Sequence, residues 1–352
     1  MTLYTELNAS TQAAFSELEV VARDADVRRS IANLPGGFVR RTDKGKGYWY
    51  YQQKQPTGKV QQIFVGPDDE KTRSLIERHG AGSAMDTQAG LLRLTRAAIE
   101  LGCAEVPLKH GRVISRLLDH GFFKAGGLLV GPHAFLAYQN MFGVRWNAGA
   151  LSVGLDPNNA RQNVSLAIAV NVKVNRAKAI ESLEMGFIPV MSGTTYKKPN
   201  EPDFDLDFLT TYGAKGNKPI FVSALNLSLQ PHKFMEFLLE APMKATLLFR
   251  NGPLIVNVPR PERYVWHKLI VYGERPREMQ AKANKDLVQV ACLLDYLLVN
   301  DWGIVRESWE DAINRGPGWS QQLREGFARL NGRFPTLMFD ERLNLNLSQT
   351  KN

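Results

Sequence analysis

Two groups of residues in this chain have the types and spacing for phosphate and metal chemistry. The first is a glycine turn. In Gly126-Gly127-Leu128-Leu129-Val130-Gly131-Pro132-His133-Ala134-Phe135 an apolar run ends at Gly131 and re-enters as a helix. Gly131 permits a tight turn and lets a phosphate approach backbone N–H groups. Pro132 suits the first helical turn, where its missing N–H would have no partner anyway. The second group is acidic: Asp156 after Leu155, then Asp205 and Asp207 in Phe204-Asp205-Leu206-Asp207-Phe208. Hard divalent cations take oxygen ligands from several carboxylates. Such ions neutralise phosphate charge and activate an attacking hydroxyl in an in-line displacement.

Each of these residues also has a plain structural role open to it. A glycine turn between strand and helix occurs in many proteins that bind nothing there. Asp156 precedes Pro157-Asn158-Asn159 and suits a turn. Asp203 and Asp205 follow Pro199-Asn200-Glu201-Pro202 and suit a solvated loop. His133, at a helix start, caps or packs as readily as it serves as a general base. Lys268 lies on a helical segment with Leu269 and Ile270, where its stem can run along the core.

The elements that would position these groups can be read from periodicity and turn residues. Residues 5–33 carry helical spacing, with Ala13-Ala14-Phe15, Leu18 and Val20-Val21 on the expected buried face. Pro35-Gly36-Gly37 ends that helix. Aromatic and β-branched runs at 38–41, 48–52 and 60–66, punctuated by glycine, predict a small antiparallel sheet. Residues 68–101 and 113–118 return to helix. Leu128-Leu129-Val130 is an expected core strand, with the Asp207 strand next to it. Arg250-Asn251-Gly252-Pro253 predicts a hairpin. Residues 261–274, 277–300 and 303–332 are expected helices, the last broken at Gly316-Pro317-Gly318. The expected organisation is an N-terminal helical region with an aromatic hairpin (1–120), an α/β core (121–225) and a C-terminal hairpin and helical lobe (226–352).

Composition narrows the remaining classes. The chain has 352 residues, 44% hydrophobic and 22% charged, which is ordinary for a globular protein of two or three domains. No apolar run reaches the ~20 residues of a membrane helix, so no membrane partner is expected. No signal peptide is visible at 1–7. Cys103 and Cys292 are the only cysteines, too few for a zinc site or a disulfide framework, and a reducing cytoplasm fits. The net charge of +9 suits either a polyanionic partner or a solvated surface. Arg40, Arg41, Lys44 and Lys46 beside Tyr48, Trp49 and Tyr50 offer a basic, aromatic surface for RNA or DNA. The alternative is a hairpin whose lysines protect its edge. Arg277, Lys282 and Lys285 form a second basic stripe.

The segment 126–146, with Asn163-Val164-Ser165-Leu166-Ala167, 179–187, 206–210, 258–264, His267-Lys268-Leu269, Gly37-Phe38-Val39 and Tyr48-Trp49-Tyr50, resembles a bacterial family of nucleotidyltransferase-like proteins. That family lies in the DNA polymerase β-like nucleotidyltransferase superfamily, and the resemblance spans roughly 35 to 300. It implies an α+β fold: a mixed sheet with helices, flanked by helical N- and C-terminal regions. It implies a Gly-Ser or Gly-Thr turn that holds the triphosphate of an NTP. It also implies an Asp-x-Asp pair and a third Asp that bind magnesium ions. On this resemblance Asp156 and Asp207 are the catalytic carboxylates, and Asp156, Asp205 and Asp207 the metal ligands. Gly127, Gly131, Pro132 and Lys268 line the NTP. Two departures stand out. Pro132 occupies the place of the turn hydroxyl. Counting back from Asn163, the Asp-x-Asp slot falls on Gly154-Leu155-Asp156, so its first carboxylate is lost. Asp205, about 7 Å from Asp207 along a strand, is a candidate substitute. Two functions follow from the resemblance. One is metal-dependent transfer of a nucleotide to an RNA, protein or small-molecule acceptor, weakened by the missing ligand. The other is a pseudoenzyme that binds nucleic acid or a protein partner.

Overall fold

The computed structural model describes residues 2–32, 36–43, 45–54, 60–70, 72–73, 76, 84–119, 121–147, 162–169, 188–190, 194–198, 201–213, 216–222, 227–272 and 280–344. Gly154, Asp156, Lys44 and Arg277 lie outside them. In chain order the elements are β1 (Tyr4–Glu6), α1 (Ala9–Ala32), β2 (Gly36–Asp43), β3 (Lys46–Lys54), β4 (Val60–Pro67), α2 (Ala84–Glu100) and α3 (Leu108–Asp119). Next come β5 (Leu128–Val130), α4 (Pro132–Met141), β6 (Val144–Trp146), β7 (Gln162–Ala167), β8 (Ile188–Val190), β9 (Thr195–Lys198), β10 (Glu201–Thr211), β11 (Ile220–Val222) and β12 (Leu227–His232). The rest is α5 (Met235–Leu239), β13 (Met243–Phe249), β14 (Gly252–Val258), α6 (Pro261–Tyr272), α7 (Gln280–Asn300), α8 (Trp302–Ile313), α9 (Pro317–Arg333) and α10 (Phe339–Arg342). The fold class is α+β, with a mixed sheet.

That sheet has seven strands, with the path β11-β12-β10-β7-β5. Strands β7 and β10 are parallel, and β5 runs antiparallel to β7. On its other edge β10 pairs first with β9, antiparallel, and then with β12, parallel. β8 pairs with β9. Side chains alternate across a strand, and the sequence obeys that rule here. Val164, Leu166, Leu206 and Phe208 are fully buried, and Tyr196 is nearly so. Their neighbours Asn163, Ser165, Asp205, Asp207, Thr195 and Lys197 are all half-exposed on the opposite face. Each large apolar side chain buried this way contributes about 1.5–3 kcal/mol. The burial therefore holds the polar row in register.

The sheet's apolar face belongs to one apolar cluster that runs from Val106 to Leu343 and joins residues of the central and C-terminal parts of the chain. Phe208 meets Phe122 and Tyr196 edge-on within it. The predicted hairpin forms as β13 and β14, with Phe249 opposite Gly252. Asn257 of β14 donates to the carbonyls of Phe123 (2.6 Å) and Gly127 (3.0 Å), which anchors the segment leading into β5. A second cluster joins Phe15, Leu18 and Ala22 of α1 to Leu91 and Ala98 of α2, with Leu248 and Ile255 of the hairpin. Val20, expected on that buried face, is 70% exposed. The buried stripe is 15, 18 and 22, and position 20 falls about 160° around the helix from 22 at 3.6 residues per turn.

The C-terminal helices pack tightly on α6. Trp266, Trp309 and Phe327 form an aromatic cluster among α6, α8 and α9. A Cβ on Gly326 would lie 2.2 Å from the Leu269 carbonyl oxygen, so α9 approaches α6 closely only because residue 326 has no side chain. Both ends of the described chain are tied to Asp295 of α7. One carboxylate oxygen accepts from Leu3 N–H and the other from Arg342, each at 2.9 Å. Cys103 and Cys292 are buried free thiols, and burial pushes them up to about 11 and about 12. Neither is a thiolate nucleophile near neutral pH. Among the described residues no helix is long and apolar enough to cross a membrane.

Candidate functional site

The glycine turn sits where the sequence places it. β5 ends at Val130, and Pro132 opens α4. Gly131 has φ +65° and ψ −138°, a backbone state that side chains with a Cβ rarely adopt. Its carbonyl accepts from Phe135 N–H at 3.2 Å and from the Tyr264 hydroxyl at 2.9 Å. Helix α6 therefore fixes the turn from above. A Cβ on Gly131 would lie 3.8 Å from Ser165 Cβ and Oγ, so Ser165 is the side chain beneath the turn. Gly127 serves packing: a Cβ there would lie 2.2 Å from the Phe122 ring.

One register row crosses the sheet at this turn. Val130 stands opposite Ser165, Ser165 opposite Asp207, and Asp207 opposite Thr195. The next polar row is Asn163, Asp205 and Lys197. The Asp207 strand is thus not next to β5, as expected. β7 lies between them, which puts Asp207 two strand spacings, roughly 10 Å, from the β5 end of the row. The intervening strand supplies Asn163 and Ser165, two apart on the polar face. They stand beside Asp205 and Asp207 across the parallel pairing. In the sequence, Asn163-Val164-Ser165 is one of the segments that carry the resemblance, with no site role attached to it. The signal was nevertheless there: Asn163-Val164-Ser165-Leu166 repeats the polar–apolar rhythm of Asp205-Leu206-Asp207-Phe208. Thr195 was missed because a lone threonine in a short strand carries no sequence signal.

These side chains form a linear chain of hydrogen bonds that runs across three strands. Ser165 Oγ donates to Asn163 Oδ1 at 2.6 Å, and Asn163 Nδ2 donates to one oxygen of Asp207 at 2.5 Å. Thr195 Oγ1 donates to the other oxygen of Asp207 at 2.7 Å. Asp205 is ion-paired with Lys197 at 3.0 Å. Lys268 is buried, its ammonium paired with the Asp286 carboxylate and 4.8 Å from the centre of the Tyr264 ring. Its charge is therefore neutralised inside the protein.

The donor set suits hydrogen bonding better than a divalent cation. Magnesium keeps several of its waters and is usually held by one or two protein carboxylates together with substrate phosphates, so those carboxylates must be open toward the ion. On the strand beside Asp205 and Asp207, the described residues offer an amide and a hydroxyl. Both Asp207 oxygens accept from neutral donors, and Asp205 is held by a lysine. Among the described residues no group of three His, Cys, Asp or Glu is placed to hold a metal ion.

His133, the second residue of α4, is fully buried against His110 of α3. His110 Nδ1 and His133 Nε2 are 2.8 Å apart and share a hydrogen bond, which requires one unprotonated ring nitrogen. Burial, and then His110, hold His133 well below the ordinary histidine range. In the unfolded chain His133 would bind a proton first as pH falls. Folding stability is therefore expected to be full above the ordinary histidine pKa and to decline below it, toward the lowered folded value. A urea midpoint that falls between about pH 7 and about pH 5, with a smaller fall in His133→Gln, would bear this out. Equal falls in both proteins would place the effect elsewhere.

A strand–glycine turn–helix unit set over a mixed sheet, with acidic residues on the sheet's open face, defines a nucleotidyl-transfer type of core. The family model described as nucleotidyltransferase matches residues 109–314, more than half of the 352, and the chain belongs to that family. No curated protein matches the chain at a significant level. No solved structure does so either.

Proposed function

We propose that this protein is a cytoplasmic member of the nucleotidyltransferase family in which metal-dependent transfer is weakened or lost, and the core serves as a binding module. The observation that carries this reading is the Asp207 row. Asn163 and Ser165 stand on the strand beside the acidic strand, and Asn163 and Thr195 occupy both oxygens of Asp207. An amide cannot bridge two cations as a carboxylate does. Pro132, which opens α4, brings no hydroxyl to the phosphate turn. Magnesium and NTP binding are accordingly weak on this reading.

A second reading keeps transfer, with Asp156 joining Asp205 and Asp207. It is favoured by the placement of Asp205 and Asp207 on one open face of the sheet. One experiment separates the two. Purified protein is incubated with each radiolabelled NTP, magnesium or manganese, and total RNA or total protein, and NTP binding is followed by calorimetry. The expected result is background transfer and binding weaker than about 1 mM. Robust transfer abolished by Asp207→Ala or Asp156→Ala would overturn the lapsed-transferase reading.

A further inference from the structure

Among the residues of the small sheet β2–β3–β4 whose side chains are described, none belongs to either apolar cluster. That stretch holds six of the chain's lysines and arginines against one acid, a local +5 out of the total +9. It also holds Phe38, Val39, Tyr48, Trp49 and Tyr50, all half-exposed. Large aromatic side chains are normally taken into a core. Here they are only part-buried, with cations beside them in the register.

The register sorts them onto two faces. Arg40 lies opposite Trp49, and these two are tied down. Arg40 Nε reaches the Asp68 carboxylate at 2.5 Å, Arg73 Nε at 2.6 Å, and Trp49 Nε1 donates to it at 2.9 Å. The three donors hold the Asp68 carboxyl well below the usual carboxylate range, Arg73 most strongly. Gly47 is needed for this closure, since a Cβ there would lie 2.8 Å from Arg40 and 2.9 Å from Asp68. The cation and ring on that face are thus held by a protein carboxylate.

The opposite face carries Lys46, Tyr48 and Tyr50 in one line along β3, with Arg41 across from Tyr48 and Val39 across from Tyr50. Arg41 and Lys46 are exposed. We propose that this face is a binding platform for single-stranded nucleic acid, its cations on phosphates and its tyrosine rings under unpaired bases. Unpaired bases stack on sheet-borne aromatics, while adjacent cations neutralise the backbone. A duplex keeps its base faces stacked inside and offers them to no ring. Binding on this face does not depend on whether the core transfers a nucleotide.

The test uses the full chain and a fluorescein-labelled mixed-sequence oligonucleotide of about 16 nucleotides, as single-stranded RNA, as single-stranded DNA and as duplex DNA. Anisotropy titrations run from low to physiological salt. Single strands are expected to bind more tightly than the duplex, with affinity that falls as salt rises. The double variant Arg41→Glu/Lys46→Glu, two exposed positions whose change should leave the thermal melt alone, is expected to lose tenfold or more. Tyr48→Ala should lose roughly 5- to 100-fold, whereas Tyr48→Phe, which keeps the ring, should bind like the parent. No binding at low salt would overturn the platform, as would full binding by the charge-reversed variant. Heparin or polyglutamate that competes as well as RNA, with Tyr48→Ala silent, would leave only a polyanion-attracting surface and overturn it as well.

Discussion

Asp286→Ala is expected to cost about 3–5 kcal/mol of folding stability. Asp286 and its partner Lys268 are both at least nine-tenths buried, so removing one takes a close opposite charge from the other in the interior. The pair also supports the candidate site. Lys268 sits one helical turn from Tyr264, beneath whose ring it lies, and the Tyr264 hydroxyl holds the Gly131 carbonyl. A loosened α6–α7 contact therefore reaches the glycine turn. At ~2–4 °C per kcal/mol the melting temperature should fall by roughly 6–20 °C. Lys268→Met with Asp286→Leu replaces the pair by apolar groups of similar volume, and should recover most of the loss. Calorimetric melts of the parent and the two variants decide the matter. A loss below about 1 kcal/mol in Asp286→Ala would mean that the pair behaves as a solvated surface bridge.

The second large effect concerns the polar row of the sheet. Asn163→Asp with Ser165→Asp is expected to give a protein whose stability depends on divalent cations. Without metal, four carboxylates would crowd two adjacent strands, and Asp207 would lose its Asn163 donor. Like charges directly opposite are destabilising, so the metal-free variant should melt below the parent. With metal, the same carboxylates become the oxygen ligands that two hard cations require. A ligand present at ~100 times its dissociation constant adds about 2.7 kcal/mol to folding. The expected result is a melting temperature that climbs with manganese or magnesium in the variant and stays flat in the parent. A parent that itself gains several degrees from magnesium would show that the present donor set already binds the ion. An unresponsive variant with an intact fold would place the lost ligands on other residues.

The sequence by itself determined the local pieces of this protein. Glycine at 131 with proline at 132 specified the turn and the start of α4, because few other residues accept that backbone. The alternation in Asp205-Leu206-Asp207-Phe208 specified which face of β10 is buried. The hairpin at 250–253 and the C-terminal helices followed from turn chemistry and 3.6-residue spacing. Family membership was legible as well, because it rests on many short motifs along the chain. What only the tertiary structure decided was which strand lies beside which. Parallel pairing of β7 with β10 joins residues some forty positions apart, and no local rule sets such a register. That pairing identified Asn163 and Ser165 as the neighbours of Asp205 and Asp207. Thr195, Asp286 and Asp68 became visible for the same reason. Each acts through a partner that is distant in sequence or across a strand, and hydrogen bonds between side chains leave no periodic trace. The polar face of the sheet was written in the alternation of each strand; its chemistry depends on how the strands were laid side by side.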